Sequence, residues 1–507
     1  MTLSSVLAES ALRYPDREAV ILGDTRITYA QLWDETRRYA AVLRERGVGP
    51  GDTVALLMPN VPDFPRVYYA ALSLGAVVVP VHALLVAPEI AYVLRDSGAK
   101  VLVAAAPLLE AGAKGAATAG VPVLATMGTV PGFDDVPRLD LLAAAATPID
   151  SYVQREPEDP AVVLYTSGTT GSPKGAVLSH LNMTMNAIVT ATSVIDLSAA
   201  DKQMAALPLF HSFGQTVVMN ASFFVGASIV LMPRFEPGLA LAMLVEENMT
   251  VFAGVPTMYI ALLAAARADP RRPALRICAA GGSSLPVAVI DKFKEVFDVD
   301  IYEGYGLSES SPVATFNQKV FGRKAGSIGR PIWGTDAAVA RAEVEDRIEF
   351  VPEGEVGEIV LRGHHIFTGY LGNPDATAAV KVDGWFRTGD LGRQDEDGFF
   401  YIVDRKKDMI LRGGFNVYPR EVEEVLATHP GVAQVAVVGF PDDLHGEEIC
   451  AVVVRSPEGS ALAADDLIAW STERLGRYKY PRRVEFVKEM PLGPSGKVLK
   501  RELAKGL

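Results

Sequence analysis

Between residues 54 and 104, short runs in which every residue is apolar alternate with stretches of helical spacing, and no other feature limits the possible folds as strongly. Residues 54–58, 76–79 and 101–104 read as strands covered on both faces, and 68–74 and 90–97 between them read as helices. That alternation predicts a parallel sheet with helices on both faces. Residues 19–22 and 26–29, around Gly23-Asp24, read as a hairpin, and 29–46 as an amphipathic helix. A second series runs from about 183 to 305, with strands expected at 228–232, 251–253 and 275–279. Residues 105–160 carry little pattern and are expected to be peripheral. From about 326 the runs shorten and glycines separate them, as at 357–363, which indicates a β-rich subdomain. Residues 408–507 read as a small α+β domain: a strand at 409–411, a Gly413-Gly414 turn, a helix at 419–429 and a strand at 434–439. The expected fold is α/β, with a large N-terminal domain (1–404) of two βαβ-type sheets plus a β-rich subdomain, and a small α+β domain (405–507). The boundary falls at the densest charge cluster, Asp404-Arg405-Lys406-Lys407-Asp408.

Two apolar stretches have the length of a membrane span. Gly75, Pro80 and His82 interrupt residues 67–87, and Asn220, Ser222, Gly226 and Ser228 interrupt residues 216–232. Each reads as a buried helix followed by a buried strand, and no transmembrane segment is expected. The formal net charge of −13 argues against nucleic acid as a partner. The two cysteines, Cys278 and Cys450, lie too far apart for a zinc motif and too few for a disulfide framework. The first residues carry no signal-peptide pattern, so a cytoplasmic location is expected.

The most specific stretch is Tyr165-Thr166-Ser167-Gly168-Thr169-Thr170-Gly171-Ser172-Pro173-Lys174-Gly175. An apolar run, 161–164, precedes it, and Ser179 beyond it is placed to cap a helix. Its glycines let backbone N–H groups approach an anion, its hydroxyls donate to oxyanions, and Lys174 adds a mobile positive charge. The P-loop pattern is absent. A flexible Ser/Thr/Gly linker has a similar composition. In Tyr302-Glu303-Gly304-Tyr305-Gly306-Leu307-Ser308-Glu309, Tyr305 can stack on a purine, Ser308 can bond a phosphate oxygen, and Glu309 can ligate Mg²⁺. A polar turn with a core tyrosine reads the same way. Asp390, after Thr388-Gly389, can accept two ribose hydroxyls or simply cap a turn.

Together these segments resemble the adenylate-forming superfamily, which comprises acyl-CoA synthetases, peptide-synthetase adenylation domains and firefly luciferase. The resemblance rests on five motifs in the family's order, from residue 165 to residue 501. It implies that Thr166, Ser167, Gly168, Thr169, Thr170, Gly171 and Lys174 bind the ATP phosphates, with Thr166 and Glu309 at the metal. Gly281, Gly282 and Ser283 pass beside adenine, and Glu303, Gly304, Tyr305, Gly306 and Ser308 complete the nucleotide site. Asp390 and Arg405 hold the ribose. Lys407 stands at the hinge about which the small domain rotates between half-reactions, which makes that domain mobile. Lys497, in Pro491-Leu492-Gly493-Pro494-Ser495-Gly496-Lys497, matches the adenylation lysine, although Gly493 replaces the family's hydroxyl residue. Alone, a lysine in such a loop would read as solvent-exposed.

Arg412-Gly413-Gly414-Phe415-Asn416-Val417-Tyr418-Pro419 resembles acyl-CoA synthetases, where Gly413 and Gly414 line the CoA tunnel and Asn416 lies near the nucleotide. Phe210-His211-Ser212-Phe213-Gly214-Gln215 resembles fatty acyl-CoA synthetases and lacks the aspartate that holds an amino acid. His211 would gate the acyl pocket or the thiol entrance, or is a core histidine. Phe213, Gly214, Val255 and Thr257 would line the pocket. The expected activity is an ATP-dependent fatty-acid–CoA ligase acting on medium or long chains, with ATP, Mg²⁺ and CoA as cofactor and co-substrates. The expected partners are a small carboxylic acid, ATP and CoA, the enzyme being a monomer or homodimer. The alternatives are an aryl-acid CoA ligase, an adenylating enzyme that loads a carrier-protein thiol, and a nucleotide-binding regulator without turnover.

Overall fold

The protein was analysed as a computed structural model. The structure describes residues 2–128, 130–166, 173–442, 444–491 and 498–505. The chain forms two compact units: residues 1–337 with 361–384, and residues 338–360 with 385–507.

The first unit contains two sheets. In the seven-stranded sheet the order is Gly369–Tyr370, Lys174–Ser179, Pro160–Thr166, Val77–Pro80, Thr53–Leu57, Ala99–Ala105, Val123–Thr126. From Pro160–Thr166 through to Val123–Thr126 the strands pair in parallel, and the helices Asp63–Ser73, Ala87–Asp96 and Leu109–Ala119 make the crossovers. Ala55, Leu57, Val79, Leu102, Ala104 and Val163 are among its core residues. The expected alternation is therefore present. It also runs on into residues 105–160, where Leu109–Ala119 and Val123–Thr126 continue it. The pattern there is faint because an alanine-rich helix has few large apolar residues to mark its buried face.

The second sheet of this unit has nine strands: Arg330–Pro331, Val313–Phe316, Ile301–Gly306, Ile277–Ala280, Val251–Gly254, Lys202–Ala205, Ser228–Leu231, Glu18–Leu22 and Thr25–Thr28. Its central strands are parallel, and the Glu18–Leu22/Thr25–Thr28 hairpin forms one edge. Residues 216–232 hold the end of a π-helix (Phe213–Asn220), a short helix (Ala221–Val225) and the strand Ser228–Leu231. Among the described residues no helix is long and apolar enough to cross a membrane.

The second unit holds Trp385–Gln394 paired antiparallel with Phe400–Arg405. It also holds a five-stranded sheet ordered Phe415–Val417, Ile410–Arg412, Gly446–Arg455, Val432–Asp442, with Arg483–Val487 pairing Gly446–Arg455. The helix Pro419–Leu426 lays Val422 and Leu426 into a core with Ile410, Val437, Ile449 and Leu467. The strand, turn, helix and strand expected after residue 408 are all present, within a few residues of the expected bounds.

Candidate active site

Sequence reading placed the hydroxyl-rich stretch between a strand and a helix. The structure puts a second strand before the helix. Pro160–Thr166 and Lys174–Ser179 are antiparallel neighbours whose register ends at Thr166↔Lys174, so the undescribed residues 167–172 join two paired strands. Ser167, Gly168, Thr169, Thr170 and Gly171 thus lie outside the described residues. The closeness of the two strands demands a glycine at 175, where a Cβ would stand 2.7 Å from Val163 Cγ1. Ser179 caps the helix His180–Val189 as expected: its Oγ accepts from the Asn182 N–H (3.1 Å), and Asn182 Oδ1 accepts from the Ser179 N–H (2.8 Å). The Asn182 amide then donates to the carbonyls of His364 and Ile366.

Tyr370 follows that 364–366 segment. Its strand pairs with Lys174–Ser179 in the register Tyr370↔Ala176. Its hydroxyl donates to Glu309 Oε1 at 2.9 Å, and Lys174 Nζ lies 5.2 Å from its ring centroid. Glu309 is only 8% exposed and sits in the turn Ser308–Ser310, which packs on the strand Lys174–Ser179. The Phe367 N–H donates to the Glu309 carbonyl (2.9 Å). Burial, and then the Glu309 charge, push the Tyr370 phenol far above its ordinary value, so it stays a donor.

At the carboxyl edge of the nine-stranded sheet, three parallel neighbours end side by side, with register Gly254↔Ala280 and Ala280↔Glu303. Val255 and Thr257 follow the first strand, Gly281, Gly282 and Ser283 follow the second, and Gly304, Tyr305 and Gly306 end the third. In open α/β sheets, ligands bind outside the carboxyl ends of the strands. A Cβ on Gly281 would stand 3.2 Å from the Phe213 ring and 3.6 Å from the Gly304 carbonyl oxygen, and one on Gly282 would stand 3.4 Å from Val255. Gly282 also takes φ +84°, which side chains rarely adopt. A Cβ at 304 would overlap the Phe316 ring, and one at 306 would overlap the Pro312 carbonyl. Tyr305 is therefore carried between two positions that only glycine can fill. Glu303 is buried, and its carboxylate accepts from the Gly326 N–H at 2.9 Å, so it serves the loop beside the strand.

His211 is exposed, so the core-histidine reading falls. It lies at the entry to the π-helix Phe213–Asn220, a helix form that often marks functional positions. Its Nδ1 accepts from the Phe213 N–H (3.3 Å). The segment before it is clamped by Asn60. Buried Asn60 donates to the carbonyls of Ala205 (2.8 Å) and Leu207 (2.9 Å) and accepts from the Leu209 N–H (2.9 Å).

In the second unit, Asp390 and Arg405 are directly opposed across two strands, and Arg405 Nε lies 3.5 Å from Asp390 Oδ1. Asp390 is 7% exposed. The Arg387–Glu358 ion pair, which sequence reading missed, supports the strand that carries Asp390. Arg387 Nη2 lies 2.7 Å from Glu358 Oε2, and Glu358 Oε1 accepts from the Gly389 N–H (2.9 Å). Lys407 is exposed beside buried Asp404, whose carboxyl burial pushes up and whose Oδ2 accepts from the Arg420 N–H. Gly413 and Gly414, at φ +57° and +83°, form the two-residue turn between Ile410–Arg412 and Phe415–Val417, with Asn416 exposed on the returning strand. Lys497 lies outside the described residues.

The AMP-binding enzyme profile matches residues 7–371, and the AMP-binding enzyme C-terminal domain profile matches residues 421–497. The chain belongs to the AMP-binding enzyme family. It is 36% identical to the long-chain-fatty-acid–CoA ligase of Bacillus subtilis, over 99% of this chain and 94% of that one. It is 39% identical to the feruloyl-CoA synthase of an Amycolatopsis species, over 96% of each. The ATP-bound structure of MatB from Rhodopseudomonas palustris matches it with a TM-score of 0.90 at 30% identity, over 100% of this chain and 99% of that one. This AMP-binding enzyme is thus of the adenylate-forming, acyl-CoA synthetase branch, and its reaction class is that of an AMP-forming CoA ligase.

Proposed function

We propose that this enzyme activates a medium- or long-chain fatty acid with ATP and then transfers the acyl group to CoA. The observation that carries this reading is the meeting of Phe213, Val255, Gly281 and Gly282 beyond three adjacent parallel strand ends, which places apolar side chains beside the segment assigned to adenine. In the first step a carboxylate oxygen of the acid attacks the α-phosphorus, the bond to the bridging oxygen breaks, and pyrophosphate leaves. In the second step the CoA sulfur, as thiolate, attacks the acyl carbon and AMP leaves.

The residues divide this work. Lys174 and the hydroxyl-rich stretch hold the β- and γ-phosphates. Tyr305 stacks on the purine, and Asp390 accepts from the ribose with Arg405 beside it. Lys497 neutralises charge that builds on the α-phosphoryl oxygens. His211 gates the pocket lined by Phe213, Gly214, Val255 and Thr257. The oxygen donors Glu309 and Thr166 suit a hard divalent cation, and the buried Glu309 carboxylate has one oxygen held by a phenol that stays protonated. A magnesium ion there would supply charge neutralisation at the triphosphate. For the thioester step, the small domain would turn about Lys407 and bring Gly413 and Gly414 to the pantetheine, with Asn416 near the nucleotide.

An aryl acid is the second reading, favoured by the 39% identity to a feruloyl-CoA synthase. Pyrophosphate release with octanoate, palmitate and cinnamate, alongside loss of free CoA thiol, tests both. Turnover with the fatty acids is expected. Response to cinnamate alone would transfer the proposal to aryl acids, and adenylate accumulating with no CoA consumed would point to a carrier-protein thiol.

A further inference from the structure

Glu309 and Lys174 belong to different motifs, 135 residues apart in the sequence, yet one side chain touches both. Tyr370 comes from a third segment, the two-residue strand Gly369–Tyr370 on the edge of the seven-stranded sheet. Its hydroxyl bonds Glu309 Oε1, and the Lys174 ammonium lies over its ring. The ring is itself fixed. It packs edge-on against Phe367 with centroids 4.9 Å apart, and the Tyr370 N–H donates to Thr377 Oγ1 at 2.9 Å, in the helix Pro374–Val380. Phe367 in turn donates its N–H to the Glu309 carbonyl, so the carboxylate is held at its backbone and at one side-chain oxygen from the same segment.

We propose that Tyr370 is a positioning residue. Its hydroxyl aims the Glu309 carboxylate for the metal of the nucleotide complex, while its ring steadies Lys174 for the phosphates. A carboxylate at the end of a flexible side chain can rotate about its last bonds, and a single charge-assisted hydrogen bond from a protonated phenol removes that freedom. The ring acts separately: an ammonium over an aromatic face is attracted without a hydrogen bond, so deleting the hydroxyl leaves this second contact in place. The inference rests on Glu309 being the metal-linked carboxylate.

The test is calorimetric binding of ATP, measured with magnesium and again with EDTA, on wild type, Tyr370→Phe, Tyr370→Leu, Glu309→Gln and the Tyr370→Phe/Glu309→Gln double variant. Binding in EDTA also reports whether each variant keeps a folded site. Tyr370→Phe is expected to weaken magnesium-dependent binding about tenfold, the usual scale for losing a hydrogen bond to a charged group, with binding in EDTA unchanged. Tyr370→Leu should weaken binding in EDTA as well, through Lys174. Because the hydroxyl acts through Glu309, the double variant should bind no more weakly than Glu309→Gln alone. Unchanged magnesium-dependent binding in Tyr370→Phe beside a loss in Glu309→Gln would overturn the inference and leave the function standing. Additive losses in the double variant would also overturn it. Wild-type magnesium dependence in Glu309→Gln would instead remove the metal role of Glu309, and the inference with it.

Discussion

The Glu358 and Arg387 side chains are 3% and 5% exposed, and together they support the strand that presents Asp390. Arg387 also donates to the carbonyls of Arg341, Val344 and Arg347, so its charge is enclosed on all sides. Taking one partner from such a pair leaves an uncompensated buried charge and costs about 3–5 kcal/mol. Glu358→Gln is therefore expected to lower the unfolding midpoint of the second unit by urea denaturation, and Glu358→Gln with Arg387→Met should recover part of the loss. Lys497 makes a different prediction, because its proposed work is electrostatic and confined to one step. Lys497→Ala should slow acyl-adenylate formation by about 10²–10³ and leave thioester formation from supplied acyl-adenylate near wild type. Pyrophosphate release and CoA-thiol loss measure the two steps separately, and equal loss of both would refute the division.

At the scale of elements, the site is set by how closely backbones approach. Gly214 is the second residue of the π-helix Phe213–Asn220, and a Cβ there would stand within 3 Å of the Pro208 and Leu207 carbonyl oxygens. Those carbonyls cannot simply retreat, since Asn60 holds the Leu207 carbonyl and the Leu209 N–H. Gly214→Ala should therefore displace the His211–Phe213 turn at a cost of about 1–3 kcal/mol. Raised KM for the acid, about tenfold, with KM for ATP unchanged is the expected signature in steady-state kinetics. The hydroxyl-rich stretch teaches a related lesson. It reads as a phosphate-binding segment from sequence, yet the strand Lys174–Ser179 that follows it was not legible there, because Lys174-Gly175 begins that strand with residues that strands seldom favour. Pairing with Pro160–Thr166 overrides that propensity.

At the scale of the whole molecule, two buried imidazoles link stability to pH. Burial, and then the Arg155 charge, lower His180 to about 4, and burial, and then His364, lower His365 to about 3, from an ordinary value of 6.5. Both stay neutral in the folded chain at pH values where the unfolded chain takes up protons. The unfolded state is therefore favoured progressively as pH falls below 6.5, down to about 4 for His180 and about 3 for His365. The melting temperature should fall through that window, and His180→Asn, which can still accept from the Leu3 N–H, should make the fall shallower. A parallel pH profile for wild type and variant would overturn this.

Sequence alone determined the βα alternation, the order of the nucleotide motifs and the break to an α+β tail, since each is written in local periodicity or in contiguous residues. It also determined the capping of His180–Val189 by Ser179, a contact between residues three apart. The partners of those motifs were decided only by tertiary structure. Asn60 reaches the 205–209 segment, Glu358 reaches Arg387, and Tyr370 reaches both Glu309 and Lys174. Contacts across 29 to 196 residues leave no local trace. They exist because strand pairing brings segments distant in the chain side by side, and because buried polar groups must find partners wherever the fold delivers them.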